Sequence, residues 1–136
     1  MSPKKTTPRR PATPRPAPAP PPPPLPASAR LASQARAALE ARKGENLIVL
    51  DVRAFSTLAD YMVLVSGSSA PHLKALANEV IRALKDEGVY CYRKSGLPDD
   101  GWLVLDYVDV VIHIFRTDLR SYYALEELWA DAVPME

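Results

Sequence analysis

Two carboxylates and an indole lie close together in residues 101–115, GWLVLDYVDVVIHIF. Asp106 and Asp109 flank a predicted turn, and Trp102 opens the strand before it. Carboxylates at one end of a sheet can hold metal ions for nucleotide transfer, or they can dock a basic partner. Two metal ions about 4 Å apart need converging carboxylates, which alternate positions on one strand supply. Because Asp106 and Asp109 are three residues apart across a turn, the sequence favours a docking edge beside Trp102.

Three further groups could carry chemistry, and each has a simpler structural explanation. Residues 66–69, SGSS, join a predicted strand to a helix, where backbone amides can bind phosphate, but a capped turn needs the same residues. We expect His113 to be a hydrogen-bonded sheet residue rather than a general base. Cys91 is the single cysteine, so a disulfide framework is excluded and we expect a small apolar filler.

The composition divides the chain into a basic arm and an acidic domain. Twelve of the fifteen prolines lie in the first 26 residues. Residues 1–39 hold seven Lys or Arg and no acid, whereas residues 40–136 hold ten bases and all sixteen acids. We therefore predict a disordered polyproline II arm at residues 1–28 and one domain at 29–136.

Hydrophobic patterning predicts the elements that position these groups. The first helix should be capped by Ser28 and end at Gly44, and the second should run from the cap Ser69 to Gly88. The third strand follows a helical crossover, so it should run parallel to an earlier strand, and the last two should form an antiparallel hairpin. The predicted strands are 46–52, 60–66, 89–93, 102–107 and 110–115, residues 94–101 are read as a loop, and a last helix runs from Thr117 to Pro134.

The resulting order, α-β-β-α-β-β-β-α, predicts an α/β sandwich around a mixed five-stranded sheet. No apolar run reaches the 18–20 residues or so that a membrane helix needs. The prolines of the arm prevent the amphipathic helix of an organellar targeting peptide, so we expect a cytoplasmic protein.

Three blocks in this order resemble the ribosomal silencing factor family, also called the Iojap-like proteins. They are DYMVLVSGSS, GWLVLDYVDVVIHIF and RSYYALEELWADA, and the resemblance covers residues 33–133 but not the arm. The residues that match the family's pattern are Asp60, Tyr61, Ser66, Gly67, Trp102, Leu105, Asp106, Tyr107, Asp109, Val110, Val111, His113, Phe115, Arg120, Tyr123, Leu125, Glu126, Leu128, Trp129 and Asp131.

The chain also departs from the family's pattern. Ser95 stands where many members have an acid, residues 71–72 read Pro-His where an Arg is common, and Val108 replaces a turn Gly. Because a β-branched residue disfavours positive φ, we expect a turn type that keeps φ negative at Val108.

The resemblance implies a non-enzymatic translational repressor with the fold of a nucleotidyltransferase core that lacks its catalytic carboxylates. It implies binding to ribosomal protein fourteen of the large subunit, which blocks joining of the small subunit without a cofactor, nucleotide or metal. A homodimer and weak RNA contact by the basic arm are also expected. The interface predicted from the sequence consists of Trp102, Leu103, Leu105, Asp106, Tyr107, Asp109 and Val110.

Two other functional classes stay open from the sequence. PAPAPPPPPLP, residues 16–26, is a ready ligand for an aromatic groove, so the chain could be an adaptor. A nucleotidyltransferase would need catalytic carboxylates that the sequence does not supply.

Overall fold

The branched apolar residues of two strands, which are not adjacent in sequence, meet at the centre of the structure. The computed structural model describes residues 26–54 and 56–119, and the backbone of 133–134. The elements are α1 Ala27–Ala41, β1 Glu45–Asp51, β2 Tyr61–Gly67, α2 Ala70–Asp86, β3 Arg93–Leu97, β4 Trp102–Asp106, β5 Val110–Arg116 and β6 Val133–Pro134, with a 3₁₀ turn at Pro98–Asp100.

The strands form one mixed sheet in the order β3-β4-β5-β2-β1-β6. β2 and β5 pair in parallel over seven residues, from Tyr61↔Val110 to Gly67↔Arg116. All the other pairs are antiparallel, the predicted β4–β5 hairpin included. The mixed five-stranded sheet is confirmed, and the two-residue β6 adds a sixth strand that the sequence analysis did not predict.

The two helices cover one face of the sheet. Small residues of α1 and the apolar stripe of α2 pack on alternate residues of β2, β4 and β5, because successive side chains of a strand point to opposite faces. This core consists chiefly of Ala32, Ala35, Leu39, Tyr61, Val63, Val65, Leu73, Leu76, Val80, Leu84, Leu103, Leu105, Val110, Ile112 and Ile114.

The other face, which we call the open face, carries a smaller cluster. Leu50, Val52, Leu64 and Phe115 are buried there, and Ile48, Met62 and Trp102 pack against them half-buried. The helix predicted from Thr117 to Pro134 falls largely outside the described residues. Residues 117–119 are helical, and Val133–Pro134 pair with β1.

The turn before α2 is occupied by its own side chains. Ser69 Oγ accepts a hydrogen bond from the His72 amide at 3.2 Å, so the predicted cap is confirmed. His72 Nδ1 accepts from the Ser68 amide at 2.9 Å, and Nε2 lies 2.8 Å from the Arg42 carbonyl oxygen. Amides that a phosphate would require are therefore already satisfied, which supports the structural reading of residues 66–69.

The predicted position of the third strand is wrong. Residues 89–92 are irregular, and β3 begins at Arg93, the last residue of the predicted strand, and continues to Leu97 through the segment read as a loop. The 3₁₀ turn and Gly101, with φ +78°, join β3 to β4 and set the register Leu97↔Trp102. β3 is an exposed edge strand and needs no apolar alternation, so its sequence does not look like a strand. It does run in the direction of β2, as the crossover argument predicted.

The role assigned to Ser28 is also wrong. Ser28 lies inside α1, which begins one residue earlier without a side-chain cap. Its buried hydroxyl instead donates a hydrogen bond of 2.6 Å to Asp60 Oδ2, just before β2. This contact ties the start of the helix to the start of a central strand.

Val108 has a left-handed backbone, contrary to expectation, with φ +71°. Asp106 Oδ1 accepts the Val108 amide at 2.7 Å, and the Tyr107 amide donates to the Val110 carbonyl at 2.9 Å. These hydrogen bonds hold a tight turn and stabilise the left-handed conformation of Val108. That conformation costs a residue with an L side chain about 1–2 kcal/mol.

We expect Ser28→Ala to reduce the free energy of unfolding by about 1–2 kcal/mol. The change leaves a half-buried carboxylate without a charge-assisted donor, and this loss exceeds the small gain in helix propensity. Urea unfolding measures the effect, with the exposed Ser95→Ala as the control that should change stability by less than about 0.5 kcal/mol. Equal midpoints for the two variants would contradict this role of Ser28.

We expect Val108→Gly to raise the free energy of unfolding by about 0.5–1 kcal/mol. Glycine removes the left-handed penalty, although its greater unfolded-state entropy offsets part of the gain. Val108→Ala keeps Cβ and should gain less. A glycine variant that unfolds at lower urea concentration than the native chain would show that the turn is unstrained.

Candidate partner-binding surface

The alternation of side chains along β4 divides the predicted interface between two faces of the sheet. Trp102, Val104 and Asp106 line the open face, and each is half-buried. Leu103 and Leu105 point toward the helices and belong to the main core. A partner can therefore reach only alternate residues of the strand.

Four residues of the predicted interface are core residues rather than surface residues. Leu103, Leu105 and Val110 are at most 3% exposed, and Tyr107 is 6% exposed. Burial raises the pKa of Tyr107, whose hydroxyl has no hydrogen-bond partner among the described residues. These four side chains support the surface from behind, so direct contact with a partner through them is ruled out in the folded protein.

Trp102 is held in one orientation by two neighbours on β5. Its indole stacks on Phe115, with ring centroids 5.4 Å apart and an angle of 25° between the planes. Its Nε1–H donates to His113 Nδ1 at 3.2 Å. We call Trp102, His113 and Phe115 the aromatic cluster. Phe115 is fully buried beneath the indole, and Trp102 itself is half-buried.

His113 is neutral at physiological pH. Burial lowers its pKa to about 4. The bond from Trp102 requires an unprotonated Nδ1, which places the single ring proton on Nε2. His113 is therefore a structural acceptor that fixes Trp102, in agreement with the sheet-residue interpretation.

The sequence analysis expected the carboxylates and the indole to lie at one end of the sheet. The structure places them at opposite ends of β4. Trp102 begins β4 and Asp106 ends it, and four residue steps of about 3.3 Å separate their positions by about 13 Å. These residues are close in sequence, which is why the sequence analysis placed them together. A strand of five residues, however, runs from one end of the sheet to the other. The indole and the two carboxylates therefore cannot form one compact anchor.

Asp106 and Asp109 have different roles in the turn. Asp106 Oδ1 accepts a hydrogen bond from the Val108 amide, whereas the Asp109 carbonyl oxygen accepts hydrogen bonds from the amides of Asp60 and Tyr61 at 2.7 and 3.1 Å.

Among the described residues, no group of three or more His, Cys, Asp or Glu side chains could hold a metal ion. Nor does any helix in that part of the chain have the length and apolarity to cross a membrane.

The sequence analysis missed two contributors to the open face. Val104 lies between Trp102 and Asp106, and Leu97 of β3 pairs directly with Trp102 and is 62% exposed. Strict alternation along residues 102–106 would have identified Val104. Leu97 could not be identified in this way, because its position depends on the β3–β4 register.

The stability of the chain should depend on the protonation of His113. Its folded pKa, about 4, lies below the unfolded value of 6.5, so protons favour the unfolded chain as pH falls from 6.5 towards 4. Between pH 7.5 and 4.5 the native chain should lose about 2–3 kcal/mol more than His113→Phe, which keeps the stacking but cannot titrate. Urea unfolding across this range provides the comparison. Parallel stability curves would exclude a buried neutral imidazole.

Known proteins resemble this chain over nearly all of its folded part. The family model described as "Ribosomal silencing factor during starvation" matches residues 25–136. The ribosomal silencing factor of Bacillus subtilis is 36% identical over 98 residues, which cover 72% of this chain and 83% of that protein. A crystal structure of a Chromobacterium violaceum protein is 35% identical, with a TM-score of 0.72, and covers 75% of this chain and 85% of its own. A crystal structure of a Bacillus halodurans protein is 30% identical, with a TM-score of 0.70, and covers 79% of this chain and 98% of its own. The chain thus belongs to the ribosomal silencing factor family, whose members are not enzymes.

Proposed function

We propose that this protein represses translation by binding ribosomal protein fourteen of the large ribosomal subunit through the open face of its sheet. The bound domain would occupy space that the small subunit needs, so that subunit joining is blocked by steric exclusion. The single observation that carries the proposal is the half-buried Trp102, fixed by His113 and Phe115 on an open face, in a member of this family.

The open face has the features of a protein interface. A rigid indole supplies contact area at low entropic cost, because its rotamer is already set by the aromatic cluster. Val104 and the exposed Leu97 extend the apolar area beside it. Large apolar side chains next to one another on a surface are typical of recognition sites.

Charge favours a basic partner. Asp106 lies on the same face as Trp102, and its carboxylate makes no ion pair within the described residues. Residues 40–136 carry ten bases and sixteen acids. Complementary charge speeds association and fixes orientation more than it adds affinity, so Asp106 would steer the partner while Trp102 holds it.

The proposed mechanism needs no cofactor and no chemistry. The chain would act in the cytoplasm, where a basic partner on the ribosome is accessible, and a homodimer is a further proposal. The adaptor alternative rests on the proline segment alone, and no described residue favours it. The nucleotidyltransferase alternative is not supported, because it needs converging carboxylates that hold metal ions, and no group of three or more His, Cys, Asp or Glu side chains among the described residues could do so.

Trp102→Ala should weaken binding to purified large subunits by at least about 2 kcal/mol, near thirtyfold, as expected for an aromatic anchor. Sedimentation with large subunits measures binding, and thermal melting of the same sample measures folding. Leu58→Ala is the matched control, since Leu58 is 86% exposed and lies in the loop before β2, away from Trp102.

The two measurements separate an interface residue from a core residue. Loss of stacking on Phe115 should lower the melting temperature of Trp102→Ala modestly, while binding falls much further. A variant that remains folded and still sediments with large subunits at native concentrations would refute the placement of the interface. Asp106→Asn should slow association more than it speeds release, and added salt should reduce the difference.

A further inference from the structure

A groove lies where the chain enters its folded part. Ala27 and Ser28 of α1 form one wall, Glu87 and Val89 after α2 form another, and Asp109 of the β4–β5 turn closes the end. Pro26, directly before the groove, has φ −62° and ψ 157°, which is the polyproline II region. The first described residues, Pro26 and Ala27, therefore lie beside this groove.

Exposed apolar side chains flank two of the groove's lining residues, Val89 and Asp109, in sequence. Tyr90 and Tyr92 are each 68% exposed, and Val108 at the tip of the turn is 52% exposed. The Tyr92 amide donates to the Asp106 carbonyl oxygen at 2.8 Å, which places residues 89–92 along the end of β4. Exposed aromatic side chains are the feature that proline-rich segments recognise.

The charge of residues 26–136 is complementary to that of the arm. Residues 1–25 contain five basic residues and no acid, whereas residues 26–136 contain twelve basic residues and sixteen acids. Glu87 is paired with Arg30 at 3.3 Å. The carboxylates of Asp106 and Asp109, by contrast, make no ion pair within the part of the chain that is described, so they can attract basic side chains in competition with Arg93. Arg93 lies opposite Asp106 in the strand register, and its guanidinium lies 5.6 Å from the centre of the Tyr92 ring.

We propose that residues 1–25 bind this groove of their own chain. The prolines of residues 16–25 would pack on Tyr90, Tyr92 and Val108, and the basic residues farther along would lie near Asp106 and Asp109. At about 3.1 Å per residue, ten residues in polyproline II reach about 30 Å, which is enough to cross the groove and the turn. Because the arm is tethered at Pro26, its effective concentration is in the millimolar range, and weak contacts suffice.

This contact and the proposed ribosomal interface share Asp106 but otherwise differ in position. The groove lies at the end of β4 that carries Asp106, whereas Trp102 lies at the opposite end, about 13 Å away along the strand. The proposal can therefore be tested on the isolated protein. Its failure would say nothing about ribosome binding, and the converse also holds.

The test compares amide chemical shifts of the full-length chain with those of full-length variants, in dilute buffer. An arm variant replaces Lys4, Lys5, Arg9, Arg10 and Arg15 with Gln. Its spectrum should differ from the native spectrum at residues 89–92 and 108–109 and agree elsewhere in the domain, the Trp102 indole N–H included. Raising the ionic strength from about 0.01 M to about 1 M reduces the Debye length from about 30 Å to about 3 Å and should abolish the difference.

A second variant tests the aromatic surface directly. Tyr90→Ser with Tyr92→Ser should shift the arm amides of Thr6, Thr7 and Arg9 toward the values seen at high salt. Leu97→Ser is the matched control, because Leu97 is also exposed but lies at the far end of β3. It should leave the arm signals unchanged.

Three results would overturn the proposal. The first is that the native and arm-variant spectra superimpose at residues 89–92 and 108–109 in dilute buffer. The second is that the differences disappear on about tenfold dilution of the protein, which would mean that the arm of a second copy binds. The third is that the arm signals move only when ribosomal RNA is added, which would make the arm a nucleic-acid contact instead.

Discussion

The parallel pairing of β2 with β5 is the constraint on which the rest of the structure depends. Their seven paired residues form the centre of the sheet, and the Asp109 carbonyl oxygen accepts both the Asp60 and the Tyr61 amides at its end. A parallel pair needs a long crossover, so α2 and the β3–β4 hairpin must lie between the two strands in sequence. β4 is therefore placed beside β5, and Trp102 is brought onto Phe115.

Alternation along the strands converts this architecture into a surface. The side chains that face α1 and α2 are buried in the core, so they are not accessible to a partner. The side chains between them are free to differ in character, which is why Trp102 and Asp106 can lie on the same strand as the buried Leu103 and Leu105. A binding face built on a central sheet is also rigid, so little entropy is lost when a partner docks.

Local signals predicted the parts of the fold that local physics determines. The cap at Ser69, the apolar stripe of α2 and the short turn between β4 and β5 each depend on neighbours within a few residues. β3 could not be found in this way, since its edge position removes the need for apolar residues. Ser28 was misassigned because its acceptor, Asp60, is 32 residues away. The predicted interface drew seven residues from 102–110, although β4 exposes only alternate residues of this stretch.

Val108 shows how a departure from the family's pattern can be tolerated. Its left-handed backbone carries a penalty, yet the Asp106 carboxylate and the Val110 carbonyl oxygen hold the turn on either side, and the Asp109 carbonyl oxygen is fixed by β2. The surrounding hydrogen bonds thus determine the turn whatever residue occupies its tip. A glycine would satisfy the backbone but would offer no side chain, whereas valine exposes an apolar group between two carboxylates. Valine at this position therefore adds backbone strain and exposed apolar surface. This combination is useful only if another group packs against the valine side chain.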